Sequence, residues 1–151
     1  MQIHKSCIYF VFLFSGLVSG NIDTYLYKTT NPSHSVWGTT GLIAMPNARF
    51  HESGVLSLNY SNHEPYQRLA LVAYPFQWFE AIYQYTDIRD RLYSDVFAFS
   101  GNQTFKDKGF DIKIKLLNES RFFPATAIGL RDIAGTGLFS SEYFVMAKRH
   151  K

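Results

Sequence analysis

From Phe110 to Leu116 the chain alternates without a lapse: Phe110, Ile112, Ile114 and Leu116 are apolar, while Asp111, Lys113 and Lys115 between them are charged. A helix would scatter these side chains around its circumference, whereas a strand sends successive side chains to opposite sides. Residues 110–116 therefore predict a strand with one apolar face and one charged face, and the rest of the fold has to accommodate both.

The same period recurs along the chain. Leu56, Leu58 and Tyr60 alternate with Ser57, Asn59 and Ser61, and Leu69, Leu71 and Ala73 alternate more weakly with Arg68, Ala70 and Val72. Phe79, Ala81, Tyr83 and Tyr85 oppose Glu80, Ile82, Gln84 and Thr86. Thr126, Ile128 and Leu130 oppose Ala127, Gly129 and Arg131, and Tyr143, Val145 and Ala147 oppose Glu142, Phe144, Met146 and Lys148. These six segments of roughly 7 to 9 residues predict an all-β antiparallel meander without any helix, close to the strand length that crosses a bilayer at a tilt. The connections at Pro75–Gln77 and Asn118–Pro124 are short or moderate, and that from Asp87 to Lys108 is long and polar, which is the asymmetry of outer-membrane barrels.

Residues 1–20 read as a cleaved signal peptide. Lys5 supplies the positive end, Ile8 to Leu13 the apolar run and Val18-Ser19-Gly20 the small residues of a cleavage site. The apolar stretch is too short to span a bilayer as a helix. Residues 21–53 are irregular and polar around Asn31-Pro32-Ser33, and are expected to form a periplasmic leader strap, with Gly41 to Pro46 as a short strand-like piece. Residues 54–151 carry the strands.

Cys7, the single cysteine, lies within the signal, so the remainder is predicted to hold no disulfide and no cysteine metal site. The formal net charge of +3 is spread without a basic patch, which argues against a nucleic-acid partner. The sequence is 17% aromatic and 18% charged. Its aromatic residues cluster near the short connections, at Tyr74, Phe76, Trp78 and Phe79 and again at Phe122 and Phe123, as an interfacial girdle would. Periodicity alone leaves two architectures open, a transmembrane barrel with its apolar face toward lipid and a soluble periplasmic β-sandwich that binds glycans or partner proteins.

Beyond periodicity, the chain resembles the YjbH family of exopolysaccharide biosynthesis or export proteins over Gly38 to Arg149. The resemblance is carried by Asp107-Lys108-Gly109-Phe110-Asp111-Ile112-Lys113, by Leu116-Leu117-Asn118-Glu119-Ser120 with Pro124, and by Gly129 through Phe139 to Ser141-Glu142-Tyr143. Gly41-Leu42-Ile43 and Met45-Pro46-Asn47-Ala48-Arg49 look like the family's opening. The resemblance implies an outer-membrane β-barrel assisting exopolysaccharide secretion, with no known catalytic residue. Members are several times longer, so the chain is expected to be an N-terminal portion: about six strands of a larger barrel, too few to close alone. Some members look like lipoproteins, but this chain has no cysteine at the cleavage site.

On this reading Asp111, Lys113, Lys115, Arg131, Glu142 and Lys148 face the lumen, where they pair across strands or line a polar path. Lys113 and Lys115 are the candidates for contacting an acidic polysaccharide. Lipid and other secretion proteins are the remaining expected partners, and no cofactor, metal or enzymatic activity is expected. His51-Glu52 and His63-Glu64 lack the i, i+4 spacing of a helical zinc site, so they read as solvated turn residues. Asp87, Asp90 and Asp95 beside Arg89 and Arg91, on a polar loop, do not meet the fixed spacing and burial that glycoside hydrolysis requires. Gly135-Thr136-Gly137 lacks the Lys-Ser/Thr of a phosphate loop and reads as a turn.

Overall fold

A computed structural model describes residues 32–149. The expected signal peptide and the first part of the strap lie outside the described residues.

All six predicted strands are present. They are preceded by a minimal hairpin of two-residue strands, β1 (Gly41–Leu42) and β2 (Met45–Pro46), which pair only with each other. The main sheet runs β3 (Leu56–His63), β4 (Tyr66–Phe76), β5 (Phe79–Leu92), β6 (Thr104–Leu117), β7 (Ala125–Arg131) and β8 (Ser141–Ala147), each strand antiparallel to the next in sequence. It is an open meander: β3 and β8 form its two edges and are not paired with each other, so the barrel is not closed by the described residues.

Two features depart from the sequence reading. The expected long loop from Asp87 to Lys108 is strand at both ends: Thr104 to Lys108 begins β6, and Asp87 to Leu92 continues β5, whose residues 79–88 pair with β6. Alternation breaks there because the register shifts between Ile88 and Leu92, so charged residues crowd the strand's end and read as loop. The connection that remains, residues 93–103, contains a single helical turn, α1 (Phe97–Ser100), where no helix was expected.

The turns divide only in part as expected, because the tightest hairpin turns fall at both margins. Gln77 and Trp78 alone join β4 to β5, and residues 118–124 join β6 to β7 at the same margin. The opposite margin carries residues 93–103 and residues 132–140, and also the two-residue Glu64–Pro65 turn between β3 and β4.

Residues 33–51 lie across one face of the sheet and bury it. The core beneath them comprises Ala48 and Phe50 of the strap with Ala70, Val72, Tyr74, Ile82, Ala125 and Ala127 of the sheet. Gly38 makes the close approach possible: its φ is +86°, and a Cβ there would fall 2.4 Å from the Cβ of Ala70. Such a position takes only glycine without strain. Gly129 serves β8 in the same way, since a Cβ on it would meet the Tyr143 ring at 2.2 Å.

The other face is bare. Leu58 is 71% exposed, Leu71 43%, Phe110 49% and Phe144 59%, and they form one continuous apolar surface with Leu56, Leu69, Leu116, Ile128 and Met146. Register aligns its rows across the strands, as in Leu58, Leu71, Tyr83 and Phe110.

Candidate functional site: the strap-covered polar face

Strand parity delivers Glu80 and Gln84 of β5, Asp107, Asp111, Lys113 and Lys115 of β6, and Arg131 of β7 to the covered face, opposite the apolar surface. Glu80 and Lys113 are direct partners in the β5–β6 register, and their side chains are fully buried. The Lys113 ammonium lies 2.7 Å from Glu80 Oε2 and donates also to the backbone carbonyls of Asn47 and Arg49, each at 3.2 Å. Glu80 accepts from the Thr39 hydroxyl at 2.5 Å, the Thr40 backbone N–H at 3.2 Å and the Thr40 hydroxyl at 2.8 Å, and the Tyr74 hydroxyl is hydrogen-bonded to Thr40 Oγ1 at 2.7 Å. The strap therefore supplies the remaining partners that a buried ion pair needs to offset its desolvation. Removed from the strap, both charges would face water or each other alone.

A second cluster lies toward the longer loops. Gln84 donates to the Trp37 carbonyl at 2.7 Å and also to Asp111, which accepts the Asp132 backbone N–H at 2.8 Å. The Arg68 and Arg131 guanidinium groups lie 4.0 and 4.5 Å from the centre of the Trp37 ring. Arg68 also lies 4.5 Å from the Tyr66 ring centre. Desolvated cation–π contacts of this kind contribute up to about 2 kcal/mol each. The space left between Trp37, Asp111, Arg131 and Phe139 amounts to about 10 Å³, room for roughly one water molecule.

The strap is pinned at its ends too. The His34 and His51 rings stack 4.9 Å apart beside Tyr74. Burial, with the neighbouring His51, lowers the pKa of the His34 imidazole and so favours its neutral form. At the short-turn margin Arg49 forms an ion pair with Glu119, whose carboxylate accepts the Arg149 backbone N–H at 2.6 Å.

Of the six residues expected to line a lumen, Asp111, Lys113, Lys115 and Arg131 lie on the covered face. Lys113 is sealed, and half-buried Lys115 sits 4.8 Å from the centre of the Phe50 ring. Glu142 and Lys148 require correction. Register sets Tyr143 opposite Gly129 and Glu142 opposite Leu130, so in β8 the covered face receives Tyr143, Val145 and Ala147, and Glu142 is exposed on the apolar side. Lys148 lies beyond the strand and donates to the carbonyls of Ser120 and Arg121 at 2.7 and 2.8 Å, closing the β6–β7 turn. Both faces of β8 carry bulky apolar residues, so alternation marks a strand there without saying which side is which.

Sequence reasoning placed Glu80 on the right strand face but did not single it out, it missed Thr39, Thr40, Trp37 and Arg68, and it assigned Tyr74 to an interfacial girdle where the structure buries it beneath the strap. The one available signal was an acidic residue on a strand face that it shares with Ile82, Gln84 and Thr86. Among the described residues no group of acidic, histidine or cysteine side chains is arranged to hold a metal.

Residues 33–151 match the YjbH family model, described as exopolysaccharide biosynthesis protein YbjH. The chain is similar to the uncharacterized lipoprotein YjbH of Escherichia coli strain K12, with 45% identity over 137 residues, covering 87% of this chain and 20% of that protein. The chain thus spans about a fifth of the length of the curated relative it matches. No solved structure matches it.

Proposed function

Because the chain belongs to the YjbH family of exopolysaccharide biosynthesis proteins, we propose that its sheet is a section of an outer-membrane β-barrel wall that assists exopolysaccharide secretion without catalysing a reaction. The observation that carries this reading is the polarity of the sheet. Its polar face is packed and ion-paired, while its apolar face, with Leu58, Leu71, Phe110 and Phe144, is exposed. A water-soluble sheet places these the other way round, whereas a barrel wall turns apolar residues to hydrocarbon and polar ones inward.

Three further features support it. The central strands have 11, 14 and 14 residues, enough to cross the apolar layer at a tilt. The margin of the Gln77–Trp78 turn and residues 118–124 carries exposed Phe76, Trp78, Phe122 and Phe123, placed as an interfacial aromatic belt would be. The strap fills the inward face, as loops and plugs do in other barrels. The E. coli relative is named a lipoprotein, which accords with export and membrane association. Lipid is the direct partner on this reading, and saccharide or secretion proteins meet the inward face or the loops. The buried Glu80–Lys113 pair of the inward face is committed to the strap and to itself.

Fractionation tests the proposal. A tagged chain is expected to be recovered in the sarkosyl-resistant outer membrane, and heating is expected to change its gel migration. Recovery as a soluble, monomeric periplasmic protein would overturn the membrane reading and favour a glycan-binding sandwich.

A further inference from the structure

Where the strap ends, the covered face opens into a groove of about 410 Å³ at the long-loop margin, lined by Tyr66, Ile88, Asp90, Arg91, Leu138 and Phe139. That volume falls within the range of small-molecule sites, roughly 300 to 1,000 Å³. We infer that this groove is a saccharide-binding site, which takes a pyranose segment on the rings of Tyr66 and Phe139 and holds its hydroxyls with Asp90 and Arg91.

The walls are of the kind that sugars require. A pyranose has one or two faces of C–H groups, which pack on aromatic rings, and an equator of hydroxyls, which need paired donors and acceptors. Tyr66 and Phe139 meet edge to face with centroids 5.9 Å apart, so two rings at different inclinations border the same space. They are held before any ligand arrives: Phe139 also packs edge-on against Trp37 at 5.4 Å, and the buried Arg68 guanidinium lies 4.5 and 5.4 Å from the Tyr66 and Phe139 ring centres. Rings fixed in advance reduce the ordering cost that weakens binding to mobile side chains. Asp90 and Arg91, both exposed, offer an acceptor and a planar donor fork at the rim. Their charges balance, so recognition rests on hydroxyls and ring faces, not on net charge. Arg91 is steadied by the Phe105 ring at 4.4 Å.

The groove also stands apart from the rest of the covered face. Lys113 is sealed by the strap and Lys115 is packed against Phe50, whereas the groove is the open part of that face. The inference rests on the exopolysaccharide reading for its choice of ligand, but its test does not depend on membrane insertion.

The full chain is to be prepared in dodecylphosphocholine, a detergent without a sugar head group, and examined by saturation-transfer NMR with maltohexaose, cellohexaose and hexagalacturonate. At least one hexasaccharide is expected to receive saturation at millimolar concentration, with little change when salt is raised. Asp90→Asn with Arg91→Gln, at exposed positions that leave the fold intact, is expected to weaken that binding at least tenfold, and Phe139→Ala to abolish it. Failure of all three sugars to bind, or equal binding by the Asp90/Arg91 variant, overturns the site. Outer-membrane recovery without sugar binding removes the groove and leaves the barrel; a soluble chain that binds sugar does the reverse.

Discussion

The two faces of the sheet are made by the same strands in strict alternation, yet they are stabilised in opposite ways. On the covered face the carboxylates at the centre are satisfied by specific partners: Glu80 by Lys113 and two threonines, Asp111 by Gln84 and a backbone N–H. The bare face is mostly leucine, isoleucine, phenylalanine, tyrosine and methionine awaiting an apolar neighbour, with Glu142 and Lys108 toward its edges. The first face is therefore sensitive to the identity of single residues and indifferent to the solvent outside. The second tolerates exchange among apolar residues and depends wholly on its surroundings.

The largest effect is expected where the covered face is broken. Lys113→Ala leaves Glu80 buried without its cation and should cost about 3–5 kcal/mol, measured by urea unfolding in lipid vesicles. Adding Glu80→Gln should recover part of that loss, because the unpaired carboxylate is then gone. An equal loss in the single and double variants would mean that packing, not charge, holds the strap.

The bare face yields the next effect. Leu71 lies at the middle of β4, so Leu71→Arg should cost about 2–4 kcal/mol in a bilayer. In water the same exposed position should change stability by no more than about 0.5 kcal/mol. A penalty independent of lipid would place another protein surface on this face.

The smallest effect belongs to the strap's outer fastening. Burial pushes the Glu119 carboxyl upward, but the Arg149 backbone N–H and the Arg49 guanidinium outweigh it and hold its pKa below the ordinary 4.5. A carboxylate depressed in the folded state contributes its stability above the unfolded pKa and loses it as pH falls through the folded value. Arg49→Ala should therefore cost about 0.5–1 kcal/mol at neutral pH, and the difference from wild type should shrink on acidification below about pH 4. A difference that is constant from neutral to acid pH would assign Arg49 a packing role only.

The strands were legible because alternation is a local property, and Phe110 to Leu116 declares both of its faces within seven residues. The meander was less secure, because the expected connection from Asp87 to Lys108 is long enough for a crossover, and only the antiparallel β5–β6 register shows that none occurs there. The site was less legible because it depends on register. Glu80 and Lys113 are 33 positions apart, and only the β5–β6 pairing makes them neighbours. Threonines 39 and 40 carry no pattern that announces a contact with β5. In β8 the side assignment turned on Gly129, whose missing side chain makes room for Tyr143, a relation between two strands that neither reveals alone.

The central claim is that the apolar face meets lipid. Nitroxide labels placed singly at Leu58, Leu71, Tyr83 and Phe144, in a Cys7→Ser background, would report what each position touches in reconstituted vesicles. The account predicts frequent collisions with dissolved oxygen and few with a water-soluble nickel chelate at all four. Frequent collisions with the chelate would place the face in water, and protection from both reagents would place it against a second sheet; either result would contradict the account.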